Sequence, residues 1–194
     1  MTKETSQARD RTASGQTIVL IGMMGVGKSS VGRRLAARLG LPFLDADAEI
    51  EKAANATIEE IFTTHGEAFF REGERRVIAR LLSDPPHVLA TGGGAFLDPE
   101  TRATIRTQGI SIWLKATLDL LAARVSRRTD RPLLKKGEPH DILAKLMTER
   151  YPIYGQADLT IEVQEEPIEI TVDRVAAALA DYQKTILQSK KTPT

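Results

Sequence analysis

Gly22-Met23-Met24-Gly25-Val26-Gly27-Lys28-Ser29 follows directly on the apolar run Ile18-Val19-Leu20-Ile21. Glycine weakens the interior of a strand or helix, so three of them here mark a tight turn or a place where something approaches the backbone. The stretch has the spacing G-x-x-x-x-G-K-S, and beyond it Val31, Leu35 and Leu39 recur at helical spacing until Gly40 supplies a stop. In a strand–turn–helix unit of this kind, backbone N–H groups and the positive end of the helix converge on an anion. Gly25, Val26, Gly27, Lys28, Ser29 and Ser30 are therefore expected to hold a nucleotide, with Lys28 reaching the β- and γ-phosphates and Ser29 ligating Mg2+. The bland alternative is a glycine-rich turn with no ligand. Its weakness is that the glycines and the lysine fall together, with the right flanks.

Outward from this unit the chain alternates short apolar runs with helical periods, the pattern of an α/β fold with a parallel sheet and crossover helices. Its 194 residues suit one domain. Five strands are expected at 17–22, 42–45, 87–91, 110–115 and 159–163. Helices are expected at 28–39, 48–54, 57–64, 67–82, 99–108, 118–127, 142–151 and 172–187. Thr57-Ile58-Glu59-Glu60 has capping-box spacing, a sign of a fresh helix start. Two places break the rhythm. The several helices between the second and third strands exceed a simple crossover and suggest an inserted lobe at about 46–76, and the charged, proline-punctuated stretch at about 127–140 reads as a lid. Residues 1–16 and 188–194 are polar and are expected to be disordered or flexible tails flanking a domain at 17–187.

Composition narrows the function. Lysine plus arginine (27) nearly balance aspartate plus glutamate (26), so the basic face that nucleic-acid binding requires is not expected. The chain has no cysteine, which excludes disulfides and thiolate metal sites and makes the cytoplasm the default compartment. No stretch is apolar enough for a membrane span or a secretory signal. A monomer acting on small molecules is the expectation.

What is done with the phosphate depends on the other polar groups. In Leu44-Asp45-Ala46-Asp47, strand alternation would send both carboxylates to one side at the carboxyl edge of the sheet, where open α/β folds bind ligands. One could serve a metal and the other a substrate hydroxyl, or the pair could simply cap the next helix. Arg71 and Glu74, in Phe69-Phe70-Arg71-Glu72-Gly73-Glu74, form by themselves an ordinary (i, i+3) ion pair on a helix. Thr91-Gly92-Gly93-Gly94 ends a strand by stripping side chains from one wall, so that a ring or another backbone can lie against it. Arg128, Arg131 and Arg150 lie in and just after the lid, from which an arginine could close on a transferring phosphoryl group. His65, His87 and His140 are scattered and receive no role.

Taken together, the phosphate loop, Asp45-x-Asp47, Phe70-Arg71 with Glu74, Gly92-Gly93-Gly94, and Arg131-Pro132-Leu133-Leu134 followed by Arg150-Tyr151-Pro152-x-Tyr154 resemble the shikimate kinases, from about residue 18 to 181. The resemblance implies a three-layer P-loop NTPase fold with a five-stranded parallel sheet, and transfer of the γ-phosphoryl of ATP to the 3-hydroxyl of shikimate with Mg2+ as cofactor. It implies that Asp47 holds the ring hydroxyls and serves as base, while Asp45 reaches Mg2+ through water. Arg71 and Arg150 would clamp the shikimate carboxylate, with Gly93 backing the ring and Glu74 in the polar shell. Arg131 would close from the lid, Arg128 would stack on adenine, and the loop at Pro167 would cover its other face. Two rivals remain at this stage: a kinase of another small metabolite such as gluconate, and a nucleotide switch without catalysis.

Overall fold

The apolar run that precedes the glycine turn forms β1 (Thr17–Ile21), whose five residues are all buried. A strand covered on both faces reads as continuous apolar sequence, and β1 accordingly lies at the centre of the sheet. The structure, a computed structural model, describes residues 15–126 and 139–191. From β1 the chain passes through the glycine turn into α1 (Lys28–Leu39), which Gly40 ends in the left-handed conformation at φ 66°. β2 (Phe43–Asp45) leads into α2 (Ala46–Ala54) and α3 (Ile58–Leu82). β3 (Val88–Ala90), a short 3-10 turn at Ala95–Leu97, α4 (Pro99–Gln108) and β4 (Gly109–Lys115) follow. Then come α5 (Leu118–Ser126), α6 (Pro139–Tyr154), β5 (Leu159–Glu162) and α7 (Ile168–Lys191).

The sheet has the expected five strands, in the order β2-β3-β1-β4-β5, and every pairing is parallel. β1 pairs on both sides, Ile18 opposite Val88 on one flank and Ile110 on the other. This puts the carboxyl ends of β1, β2 and β3 side by side, so the glycine turn, the Asp45 region and the triple glycine emerge at one edge. Thr91 secures that edge: its backbone N–H and its hydroxyl both donate to the Leu20 carbonyl, at 3.2 and 3.1 Å.

Helix boundaries differ from expectation where side chains act locally. The capping box forms as its spacing predicts, the Glu60 N–H donating to the Thr57 hydroxyl and the Thr57 N–H to the Glu60 carboxylate. The two helices expected at 57–64 and 67–82 are both present as the two arms of α3, which meet at Gly66, whose φ of 82° and ψ of 175° lie outside the helical region. α7 begins at Ile168 rather than 172, because the Pro167 carbonyl already accepts the Ile170 N–H, and the helix runs on to Lys191. α6 carries Pro152 only in its last turns, where a missing N–H disturbs little of the helix. The main core lies on the sheet around Leu20, Leu35, Leu89, Ile112 and Leu121, while Ile50, Ile61 and Phe70 form a separate small cluster between α2 and α3.

Candidate active site

At the edge described above lies a cleft of about 520 Å³, lined by residues 24–31, Asp45, Asp47, Gly92, Gly93, Arg124 and Glu166 among others. Its floor is the glycine turn. Gly25 and Gly27 sit at φ 80° and 104°, a region in which other residues are strained, and so the backbone curls tightly enough to present its N–H groups. α2, α3 and α4 each begin with a side-chain oxygen accepting a first-turn N–H, from Asp45, Thr57 and Asp98. α1 begins on Gly27 with no side-chain cap and no acid in its first turn, so its N–H groups and its positive dipole face the cleft. The Lys28 ammonium donates to the Gly22 and Met23 carbonyls at 2.9 and 3.0 Å, which folds it back over the loop.

Next to this cradle the Ser29 hydroxyl donates to Asp45 Oδ2 at 2.7 Å, while Asp45 Oδ1 accepts the Asp47 N–H at 3.1 Å. The strand-alternation account of the acid pair is therefore corrected: the strand ends at Asp45, which caps α2, and Asp47 lies in the first helical turn. Both carboxylates still line the cleft, because a capped helix start projects its first turn over the sheet edge. A seryl oxygen and a carboxylate within hydrogen-bonding distance suit an ion that takes few protein ligands and keeps water and phosphate oxygens around it, as Mg2+ does. The described residues contain no group of three or more histidines, cysteines or acids that could hold a metal ion. Burial pushes the Asp47 carboxyl above its ordinary range, the Asp45 charge adds to the rise, and Lys28 opposes it. A carboxylate destabilised in this way is a better proton acceptor.

The triple glycine forms the adjoining wall, and the close approach of side chains explains its composition. A Cβ on Gly92 would lie 2.8 Å from Asp47 Oδ1 and 2.9 Å from Glu74 Oε1, and one on Gly94 would lie 2.5 Å from Arg71 Nη1. Arg71 makes the (i, i+3) ion pair with Glu74 at 2.7 Å, and a second contact with Glu67 at 3.3 Å. The bland reading of that pair is thus correct as far as it goes, and tertiary packing sets the pair against the wall. Glu74 is buried. Desolvation raises its pKa, Arg71 opposes the rise, and its Oε1 has no hydrogen-bond partner among the described residues. Arg150, from α6, donates to the Gly93 carbonyl at 3.3 Å, so Arg71 and Arg150 flank the glycines from different helices.

Sequence reading missed Arg124. It donates from α5 to the Val26 carbonyl at 3.1 Å and to the Gln164 carbonyl at 3.3 Å, bridging the phosphate loop and the segment before α7. Arg124 follows Leu121, and Arg128 follows Val125, by the same three residues, so the local signal is identical one turn apart. Tertiary contact is what identifies Arg124: Gly25 packs against Val125, where a Cβ would lie 2.7 Å from Cγ2, and this holds the Arg124 turn beside the loop. Arg128 and Arg131, with most of the expected lid, lie outside the described residues. Pro167 is described, and its neighbours Glu166 and Ile168 line the cleft.

A cradle for a terminal phosphate beside a carboxylate that can take a hydroxyl proton equips a protein to phosphorylate an alcohol, and the sheet carrying it is that of a P-loop small-molecule kinase. The family model for shikimate kinase matches residues 24–180. Shikimate kinase of Paramagnetospirillum magneticum is 57% identical over 175 residues, spanning 89% of this chain and 90% of that one. The enzyme of Rhodopseudomonas palustris is 61% identical over 165 residues, 85% of this chain and 81% of its own. Among solved structures, shikimate kinase from Acinetobacter baumannii in complex with shikimate superposes with a TM-score of 0.84 at 36% identity, covering 90% of this chain and 97% of that one. The chain belongs to the shikimate kinase family.

Proposed function

We propose that this chain transfers the γ-phosphoryl of ATP to the 3-hydroxyl of shikimate, giving shikimate 3-phosphate, with the residues described above in specific roles. The observation that carries the assignment is the cleft itself: phosphate loop and Asp47 share it, and Arg71 and Arg150 stand at either side of its glycine wall. An acceptor with a carboxylate at one end and ring hydroxyls at the other calls for guanidiniums opposite a carboxylate, across a surface free of side chains.

In this reading the N–H groups of Gly25 to Ser30 and the Lys28 ammonium hold the phosphates in line with the acceptor. Arg71 and Arg150 fix the shikimate carboxylate, Gly93 supports the ring, and Glu74 keeps Arg71 in place. Asp47 orients the 3-hydroxyl and takes its proton as the new O–P bond forms. Ser29, and Asp45 through water, would hold Mg2+, which supplies charge neutralisation at the β- and γ-phosphate oxygens. The lid at about 127–140 and the substrate lobe at about 46–76 belong to the same reading, with Arg131 arriving from the lid to stabilise charge on the transferring group. Pro167 covers adenine on one side. On the other, Arg124, which bridges the phosphate loop and the segment before α7, lies against the base, with Arg128 as the alternative. One chain contains both subsites, so a monomer suffices. Among the described residues no helix is long and apolar enough to cross a membrane, which is compatible with work in the cytoplasm.

The purified protein is expected to consume ATP with Mg2+ rapidly only when shikimate is present, as read by coupled ADP release. Equal turnover with gluconate, or with no acceptor, would reject the assignment. Arg124→Ala is expected to raise the KM for ATP about tenfold, through loss of a cation facing the base, and to leave the KM for shikimate within about twofold. A shift in the shikimate KM of the same size would remove Arg124 from the nucleotide side.

A further inference from the structure

Arg150 is not alone in reaching the glycine wall from the end of α6. Tyr154, one turn further on, is completely buried, and its hydroxyl donates to the Gly93 carbonyl, the same oxygen that accepts from Arg150 Nη1 at 3.3 Å. The Tyr154 ring is held in an aromatic cluster, 6.0 Å from Trp113 and 6.3 Å from Tyr151 between centroids. Tyr151 is itself anchored, donating to the Ala116 carbonyl at 2.5 Å. Gly93 in turn touches both halves of the cleft. A Cβ there would lie 3.3 Å from Arg150 Nη1, 3.6 Å from the Gly22 carbonyl oxygen and 3.7 Å from the Met24 nitrogen.

A phenylalanine would fill this apolar space without the desolvation of a phenolic hydroxyl, so the packing alone gives no reason for tyrosine. What the hydroxyl adds is a fixed donor on one carbonyl. We propose that Tyr154 is a positioning residue for phosphoryl transfer: by holding the Gly93 carbonyl in place, it sets where the wall stands and how the Arg150 guanidinium is presented to the acceptor. The proposal rests on the reading that Gly93 and Arg150 contact shikimate. With the hydroxyl gone, the carbonyl is free to tilt with Arg150, and the clamp loses its registration against the ring while the phosphate loop keeps its own hydrogen bonds.

The test is Tyr154→Phe, which keeps the ring and its packing, measured beside Arg150→Lys and the double variant. Loss of one buried hydrogen bond that orients a charged group corresponds to a rise of about three- to tenfold in the KM for shikimate, with the KM for ATP within about twofold. In the Arg150→Lys background, where the planar fork is already absent, the same change should add little further. A Tyr154→Phe enzyme with unchanged shikimate KM, whatever its melting temperature, would overturn the proposal. So would an equal rise in both Michaelis constants, or full additivity with Arg150→Lys. If Arg150→Lys itself left the shikimate KM unaltered, the clamp reading would fail. If it raised the KM while Tyr154→Phe did not, only the role of Tyr154 would fall. Trp113, the single tryptophan, lies 4.9 Å from Tyr151 and supplies an intrinsic fluorescence signal for direct shikimate titration of each variant.

Discussion

Asp47→Asn is expected to lose turnover by about a hundred- to ten-thousandfold, the range over which a positioned general base acts. The amide fits the same space but cannot take up the hydroxyl proton, and it accepts hydrogen bonds without full charge. Shikimate affinity should weaken with it, while ATP affinity changes little. An equal loss of ATP binding would instead put Asp47 in the metal's surroundings and make Asp45 the better base. The same variant makes an opposite prediction for stability. Burial and the Asp45 charge hold the Asp47 pKa above its ordinary value of 3.8, against the pull of Lys28. The folded state therefore binds this proton more tightly than the unfolded chain does. Its contribution favours folding at low pH and is lost as pH rises from that ordinary value through the raised one. Asp47→Asn should consequently melt above the wild type at neutral pH, with the advantage shrinking as acid protonates the carboxyl. Thermal unfolding of the two proteins across pH checks this, and a variant that melts lower at neutral pH would show that the Asp47 charge is satisfied by contacts. In activity, the acid limb of the wild-type profile should lie above the usual carboxylate range.

Lys28→Ala is expected to lower turnover by about a hundred- to a thousandfold, the typical effect of removing one preorganised donor from developing charge. It should also raise the KM for ATP. The ammonium spans the Gly22 and Met23 carbonyls, so its removal loosens the loop as well as removing charge. Lys28→Met restores much of the side-chain volume without the ammonium, so a loss that persists in it comes from the missing ammonium and not from the missing side-chain stem. Near-normal turnover in either variant would reduce the glycine turn to a structural element.

Much of the fold was legible because its signals are local. The buried run at Ile18 to Ile21, the αL stop at Gly40 and the Thr57/Glu60 box each act over one helical turn or one strand. The phosphate cradle was equally readable, since the whole device occupies one strand–turn–helix unit. The acid pair was read correctly as to side but wrongly as to cause. Alternation along a strand and a capped helix start are both local rules, and the competition went to the cap because Asp45 can accept from the Asp47 N–H. Arg71 illustrates the opposite case. Its ion pair with Glu74 is local, and nothing in that pair reveals that Gly94 comes to lie against the guanidinium.

The sequence by itself determined the fold class, the phosphate-binding turn and the residue types of the site. These follow from side-chain periodicity, glycine conformational freedom and capping, which depend on neighbours a few residues away. Only the tertiary structure decided which groups meet: Arg124 and the phosphate loop, Glu74 beside Asp47 across Gly92, and Arg150 and Tyr154 on a single carbonyl of Gly93. The hydrogen bonds among them join residues 57 to 98 positions apart. Their geometry is set by how helices pack on the sheet, which a short window of sequence does not encode.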